Sequence, residues 1–94
     1  MCFLEAIANK RSVVTLYNGA EHKLAPHLLF ERHGDLFVSA LNLNKNWRTP
    51  EERRLGQFKL AGLGQTRLLE EQFVPLPNDQ ITLPRSDDML VLAV

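Results

Sequence analysis

The chain has 94 residues, 45% hydrophobic and 23% charged, with eleven basic and eleven acidic side chains and a formal net charge of zero. That composition describes one domain with enough apolar material for its own core, neither disordered nor collagen-like. Neutrality excludes an affinity built on gripping many phosphates of an extended duplex, whereas a nucleotide or a short oligonucleotide, carrying few charges, stays compatible.

Taken in chain order, Phe3, Leu4, Ile7 and Ala8 recur at helical spacing, and Asn9-Lys10-Arg11 ends the pattern with cations at its carboxyl end. One short amphipathic helix, lying over an open end of the fold, is expected. The same segment holds an acid at Glu5 and lacks a basic leader and a long apolar run, so no secretory signal is expected. Cys2 is the single cysteine, which rules out an intrachain disulfide and makes a reducing cytoplasm the expected setting. Nowhere does the chain approach the roughly 20 apolar residues of a membrane-spanning helix.

Ser12 to Asn18 is a β-branched strand with Val14 and Leu16 on one face and Val13, Thr15 and Tyr17 on the other. Asn18-Gly19 signals a two-residue type I′ turn; a strict two-residue loop would set Lys23 opposite Val14, which leaves the pairing register open. The return strand, Ala20 to Ala25, is expected to end at Pro26, which lacks the amide that a central ladder needs. From Leu28 to Leu43 two apolar runs flank His33-Gly34-Asp35, a second hairpin. Leu36, Val38 and Ala40 point one way and Phe37, Leu41 and Leu43 the other, so both faces are covered, as in a small, strongly curved barrel or sandwich.

Asn42 to Leu55 is polar and turn-rich and reads as a loop, with Trp47 inside it and a short helical turn starting at Thr49-Pro50-Glu51-Glu52. Between Gly56 and Leu69 the apolar parity switches, from Phe58 and Leu60 to Leu63 and Leu69. Gly62 and Gly64 at the switch mark a bulge or sharp bend. Phe73-Val74-Pro75 closes the main unit, residues 1–75. Residues 76–94 form a connector and a final strand, Met89 to Val94, which pairs either with this sheet or with a partner's.

The order of these motifs resembles the WYL domain family. The matching pieces are the short helix ending in basic residues, Leu16-Tyr17-Asn18-Gly19, Pro26 after the second strand, His33 to Ala40 (HGDLFVSA), Arg53 to Leu63 (RRLGQFKLAGL) and Phe73 in EQFVP. The resemblance covers most of the chain up to Pro75. It implies a mainly β, small SH3-like or Sm-like barrel with one short N-terminal helix. It also implies a role as a sensor of nucleotide or single-stranded nucleic-acid ligands, mostly in bacterial transcription regulators and CRISPR-associated proteins. Leu36-Phe37-Val38 stands where the family carries Trp-Tyr-Leu. Of the three charged-pocket arginines only the central one has a counterpart, Lys59, a point charge without arginine's bidentate fork. With no helix-turn-helix ahead of the barrel motifs, a stand-alone or diverged WYL-like unit is expected.

The expected ligand-binding residues are Tyr17, His27, Arg54 and Lys59. Tyr17 with Lys59 can offer a stacking platform beside a cation; the alternative is a tyrosine packed on a neighbouring strand. Five cations (Lys45, Arg48, Arg53, Arg54, Lys59) face two acids between residues 45 and 59, while residues 70–94 carry five acids and one arginine. That asymmetry describes either an anion-binding loop with which the acidic tail competes, or a solvated surface. Trp47 either folds back onto the barrel or serves as a binding hot spot. His22, His27 and His33 lack the converging partners of a zinc site and read as exposed, with His27, beside Pro26, placed to contact an anion. No nucleophile elbow, phosphate-cradling glycine loop or carboxylate pair is recognisable, so catalytic residues, metal and cofactor are all expected to be none. The expectation is a non-catalytic ligand-sensing module linked to transcription regulation, acting on a partner protein or a second copy. Its alternative is an interaction or oligomerisation module that uses the C-terminal strand.

Overall fold

The computed structural model describes residues 2–94 and is mainly β, with one α-helix and six antiparallel strands in an open sheet. The helix α1 (Cys2–Asn9) buries Phe3, Ala6 and Ile7, while Leu4 and Ala8 of the expected apolar face lie outside. Lys10 stops it in the left-handed region at φ +54°, with its N–H donating to the Ile7 carbonyl at 3.3 Å. The strands are β1 (Arg11–Tyr17), β2 (Ala20–Arg32), β3 (Asp35–Asn42), β4 (Gly56–Lys59), β5 (Leu63–Gln72) and β6 (Met89–Ala93). They run in the order β4-β3-β2-β1-β5, with β6 added alongside β2.

Both hairpin turns form as their residues dictate. Asn18 and Gly19 take φ values of +51° and +77°, and Val14 pairs with Lys23. At the second turn His33 joins Gly34 in the left-handed region, at +51° and +83°.

Pro26 does not end its strand. β2 continues through it to Arg32, and Pro26 pairs with Ala40 next to a register shift against β3. On the other edge Pro26 falls between Leu24, the last residue paired with β1, and Leu28, the first paired with β6. A missing N–H is accommodated in such a gap and at a bulge. The bend expected around Gly62 and Gly64 is a 3₁₀ turn, Leu60–Gly62, that splits the segment into β4 and β5. The expected parity switch, from Phe58 and Leu60 to Leu63, falls across this turn. Just beyond it a bulge, where Gln65 takes φ +48° and the register against β1 shifts between Gly64 and Arg67, switches the core-facing side again, from Leu63 to Leu68. Thr15, fully buried beside this bulge, donates from Oγ1 to the Gly64 carbonyl at 3.1 Å and shares a 2.8 Å bond with Thr66.

Two apolar clusters hold the sheet. One gathers Phe3, Ala6, Val13, Leu24, Val38 and Ala40, with Phe58, Leu60, Leu63 and Leu68 packed against it. The other, on the opposite face, holds Ala25, Leu41 and Leu76 under Trp47, Leu55, Phe73 and Ile81. Strands with apolar residues on both faces are thus covered on both, one side by the helix and the sheet's own ends, the other by the loop before β4 and the connector after β5.

Whether the last strand pairs within the chain or outside it resolves to within. β6 pairs with Leu28–Glu31, and the Val94 N–H donates to the His27 carbonyl at 3.0 Å. Asp88 receives Arg32 Nε and Nη2 at 2.7 and 3.0 Å and the Arg85 N–H at 2.9 Å. The Arg32 guanidinium also lies 5.3 and 4.9 Å from the centroids of the stacked rings Phe30 and Phe37.

Candidate functional site

The loop between β3 and β4 begins by capping itself: Asn42 Oδ1 accepts the Asn44 N–H, and Asn44 Oδ1 accepts the Lys23 N–H. Trp47 then folds back. Its Nε1–H donates to the Asn42 carbonyl at 3.2 Å and its ring packs on the cluster of Ala25, Leu41 and Leu76. The Lys45 ammonium lies 4.4 Å from the centre of that ring. A 3₁₀ turn at Pro50–Glu52 follows, with Glu52 accepting the Arg48 N–H. Arg54 closes the loop, its Nη1 donating to the Glu51 and Arg53 carbonyls at 2.7 and 2.9 Å. Main-chain carbonyls do not neutralise a guanidinium, so the exposed Arg54 keeps its charge at the cleft it lines.

These residues frame a cleft of about 300 Å³ where β3 ends and β4 begins, lined by Asn42, Lys45, Trp47, Arg54, Gly56 and Phe58 among others. A second cleft, of about 270 Å³, shares Arg54 and Leu55 and adds Glu51, Leu76 and Gln80. A cation over an aromatic ring, with a second cation lining the same concave surface, suits a ligand that is both planar and anionic.

Of the four residues expected to bind ligand, Arg54 alone lies here. Tyr17 packs edge-on against Phe58, with ring centroids 5.3 Å apart and planes at 89°. It therefore joins β1 to β4 across the core face, the packed alternative to a stacking platform. Lys59 alternates with Phe58 along β4 and so belongs to the opposite face, where it pairs with Asp35 at 3.3 Å, both groups about half exposed. Tyr17 and Lys59 are not brought together.

His27 is a correction. It is neither exposed nor open to an anion, being fully buried with both ring nitrogens engaged: Nδ1 with the Ala25 carbonyl at 2.7 Å, and Nε2 with the Leu76 N–H at 3.1 Å. Burial pushes its pKa below the usual histidine value, against a smaller opposing effect of the Ala25 bond. Three acids of the tail go elsewhere than the basic loop, Glu71 to Lys23 and two to the turn between β2 and β3. Asp88 binds Arg32, and Asp87 lies 3.7 Å from His33, both at the β2–β3 turn.

Lys45 and Trp47 are each visible in the sequence, but their spacing of two says nothing of a cation over a ring. Among the described residues no group of three or more His, Cys, Asp or Glu side chains converges to hold a metal ion. Burial, with Glu5 adding to it, raises the pKa of the Cys2 thiol, which disfavours the reactive thiolate. Comparison with protein-family models, curated proteins and solved structures finds no match to the chain.

Proposed function

We propose that the chain is a non-catalytic ligand-sensing module that binds a nucleotide or a short single-stranded nucleic acid, serving transcription regulation as the WYL-like motif order implies. In this reading the strand path β4-β3-β2-β1-β5 curls into a small SH3-like or Sm-like barrel, with its end strand β4 brought against β1 by Phe58 on Tyr17. The observation that carries the function is the Lys45–Trp47–Arg54 arrangement at the mouth of the β3–β4 connection. A base stacks on the indole in exchange for the Lys45 ammonium, which is then free to meet the ligand's phosphate beside Arg54. Stacking of this kind is worth about 1–3 kcal/mol per base. The size of the cleft suits one nucleotide, or one base of a strand, and the neutral chain adds little unspecific attraction.

Trp47 is the single tryptophan, so its fluorescence reports on this cleft alone. Titration with a short mixed-sequence single-stranded oligonucleotide should quench it saturably, with an affinity that falls as salt is raised. An unchanged signal at low salt removes the proposal.

The second reading, an interaction module, draws on β6. Met89, Leu90 and Val91 are 66%, 52% and 49% exposed in succession, and among the described residues β6 has β2 as its one strand partner. Because β6 covers β2, removing it disturbs the fold; Val91→Lys is the cleaner probe. A dimer that Val91→Lys converts to monomer supports this reading, and a wild-type monomer contradicts it.

A further inference from the structure

The segment after β5 crosses the face of β2 and β3 as a strap, and a histidine fastens it at Leu76. The Leu76 amide can only donate, so Nε2 of His27 carries no proton; the Ala25 carbonyl can only accept, so the ring proton sits on Nδ1. The Phe73 ring lies 4.9 Å away, centroid to centroid, in a tilted stack. The groups bonded to or stacked on the imidazole are uncharged: the Ala25 carbonyl from β2, and the Leu76 amide and Phe73 ring from the strap. Val94, just past β6, bonds the main-chain carbonyl of His27 instead. Burial lowers its pKa, against a smaller opposing effect of the Ala25 bond. Along β2, Arg32 at the strand's far end is bonded to Asp88 ahead of β6, while Glu51 and Arg54 line the second cleft with Leu76.

We propose that His27 is a proton-operated latch on this strap: a proton added at Nε2 sets two donors head to head, breaks the Leu76 bond and lets the segment around residues 73–81 lift from β2. Leu76 walls the second cleft together with Arg54 and Leu55, so the latch opens the floor beside the candidate ligand site. That consequence rests on the ligand-binding reading; the latch rests on the His27–Leu76 geometry alone. The direction follows from linkage. The folded chain prefers the neutral ring, so the closed state is favoured fully above about pH 6.5, the unperturbed value, and loses ground as pH falls below it.

The test is nuclear magnetic resonance on the full chain between about pH 8 and pH 5, with no ligand present. Imidazole nitrogen shifts should show the neutral Nδ1–H tautomer and a midpoint below about 6.5. The opening constant at the Leu76 amide, taken from hydrogen exchange corrected for its intrinsic rate, should rise by up to about tenfold per pH unit below that value. The Val13 and Val38 amides should hold. His27→Gln keeps one donor and one acceptor without a titrating proton, and its Leu76 opening should be flat over the same range. A His27 midpoint at or above 6.5, flat Leu76 opening in the wild-type chain, or the same rise in His27→Gln overturns the latch. Should His27→Gln fail to fold, the wild-type tautomer, midpoint and exchange decide alone. Since no ligand enters, loss of the latch and loss of nucleotide binding are separate outcomes.

Discussion

At Gly34 the second hairpin depends on one missing methyl group. Its φ of +83° lies where an L side chain is strained, although a Cβ there meets nothing within 4 Å. Gly34→Ala should therefore cost backbone strain alone, about 1 kcal/mol, and lower the melting temperature by several degrees, a change that calorimetry resolves. His27→Ala should cost more, about 2–4 kcal/mol, because it empties a buried site and leaves the Ala25 carbonyl and Leu76 N–H without partners. Urea unfolding measures that loss. The two residues also differ in how legible they are. Gly34 advertises its turn, because positive φ is a local property of the residue. Nothing local separates His27 from His22 or His33, and its burial depends on Phe73 and Leu76, over forty residues further along the chain.

At the level of elements, the start of β6 is held by a pair that acid weakens. Arg32 donates two hydrogen bonds to Asp88, and this is the main reason the Asp88 carboxyl stays below the usual carboxylate range. A depressed carboxyl stabilises the fold fully above its unfolded value of about 3.9 and loses that contribution as pH falls from there through its lower folded value. Asp88→Asn should thus lower the melting temperature at neutral pH and raise hydrogen exchange along β6. The difference from wild type should begin to shrink below about pH 3.9, where the unfolded chain takes up the proton that the folded carboxyl still resists. That window lies well below the one in which His27 acts, so a pH scan separates the two fastenings. Neither pairing was written in local sequence. The MLVLA run at 89–93 announces a strand, but its partner is set by where the connector lays it down, and β2 reads as ending at Pro26 because a gap between β1 and β6 is a property of the assembled sheet.

For the whole molecule, zero net charge conceals a division of labour. The acids near the C-terminus serve the β2–β3 turn, where Asp88 meets Arg32, and leave Lys45 and Arg54 at the opposite end of β3 beside Trp47 and the cleft. The mainly β class, both hairpins, the short helix and the 3₁₀ turn before β4 were readable in advance, since each rests on turn residues or apolar spacing within a few positions. The site was half readable. Arg54 and Trp47 stand out by type, whereas the separation of Tyr17 from Lys59 follows from strand alternation in β4 once Phe58 is known to face inward. The most direct check is isothermal titration of a short single-stranded oligonucleotide into the wild-type chain, Arg54→Ala and Lys59→Ala at one low salt concentration. Placement of the ligand beside Trp47 predicts that Arg54→Ala weakens binding by about tenfold, the scale of one lost charge-assisted contact, and that Lys59→Ala stays within about twofold. Equal losses in both variants, a larger loss at Lys59, or no binding by the wild-type chain contradicts it.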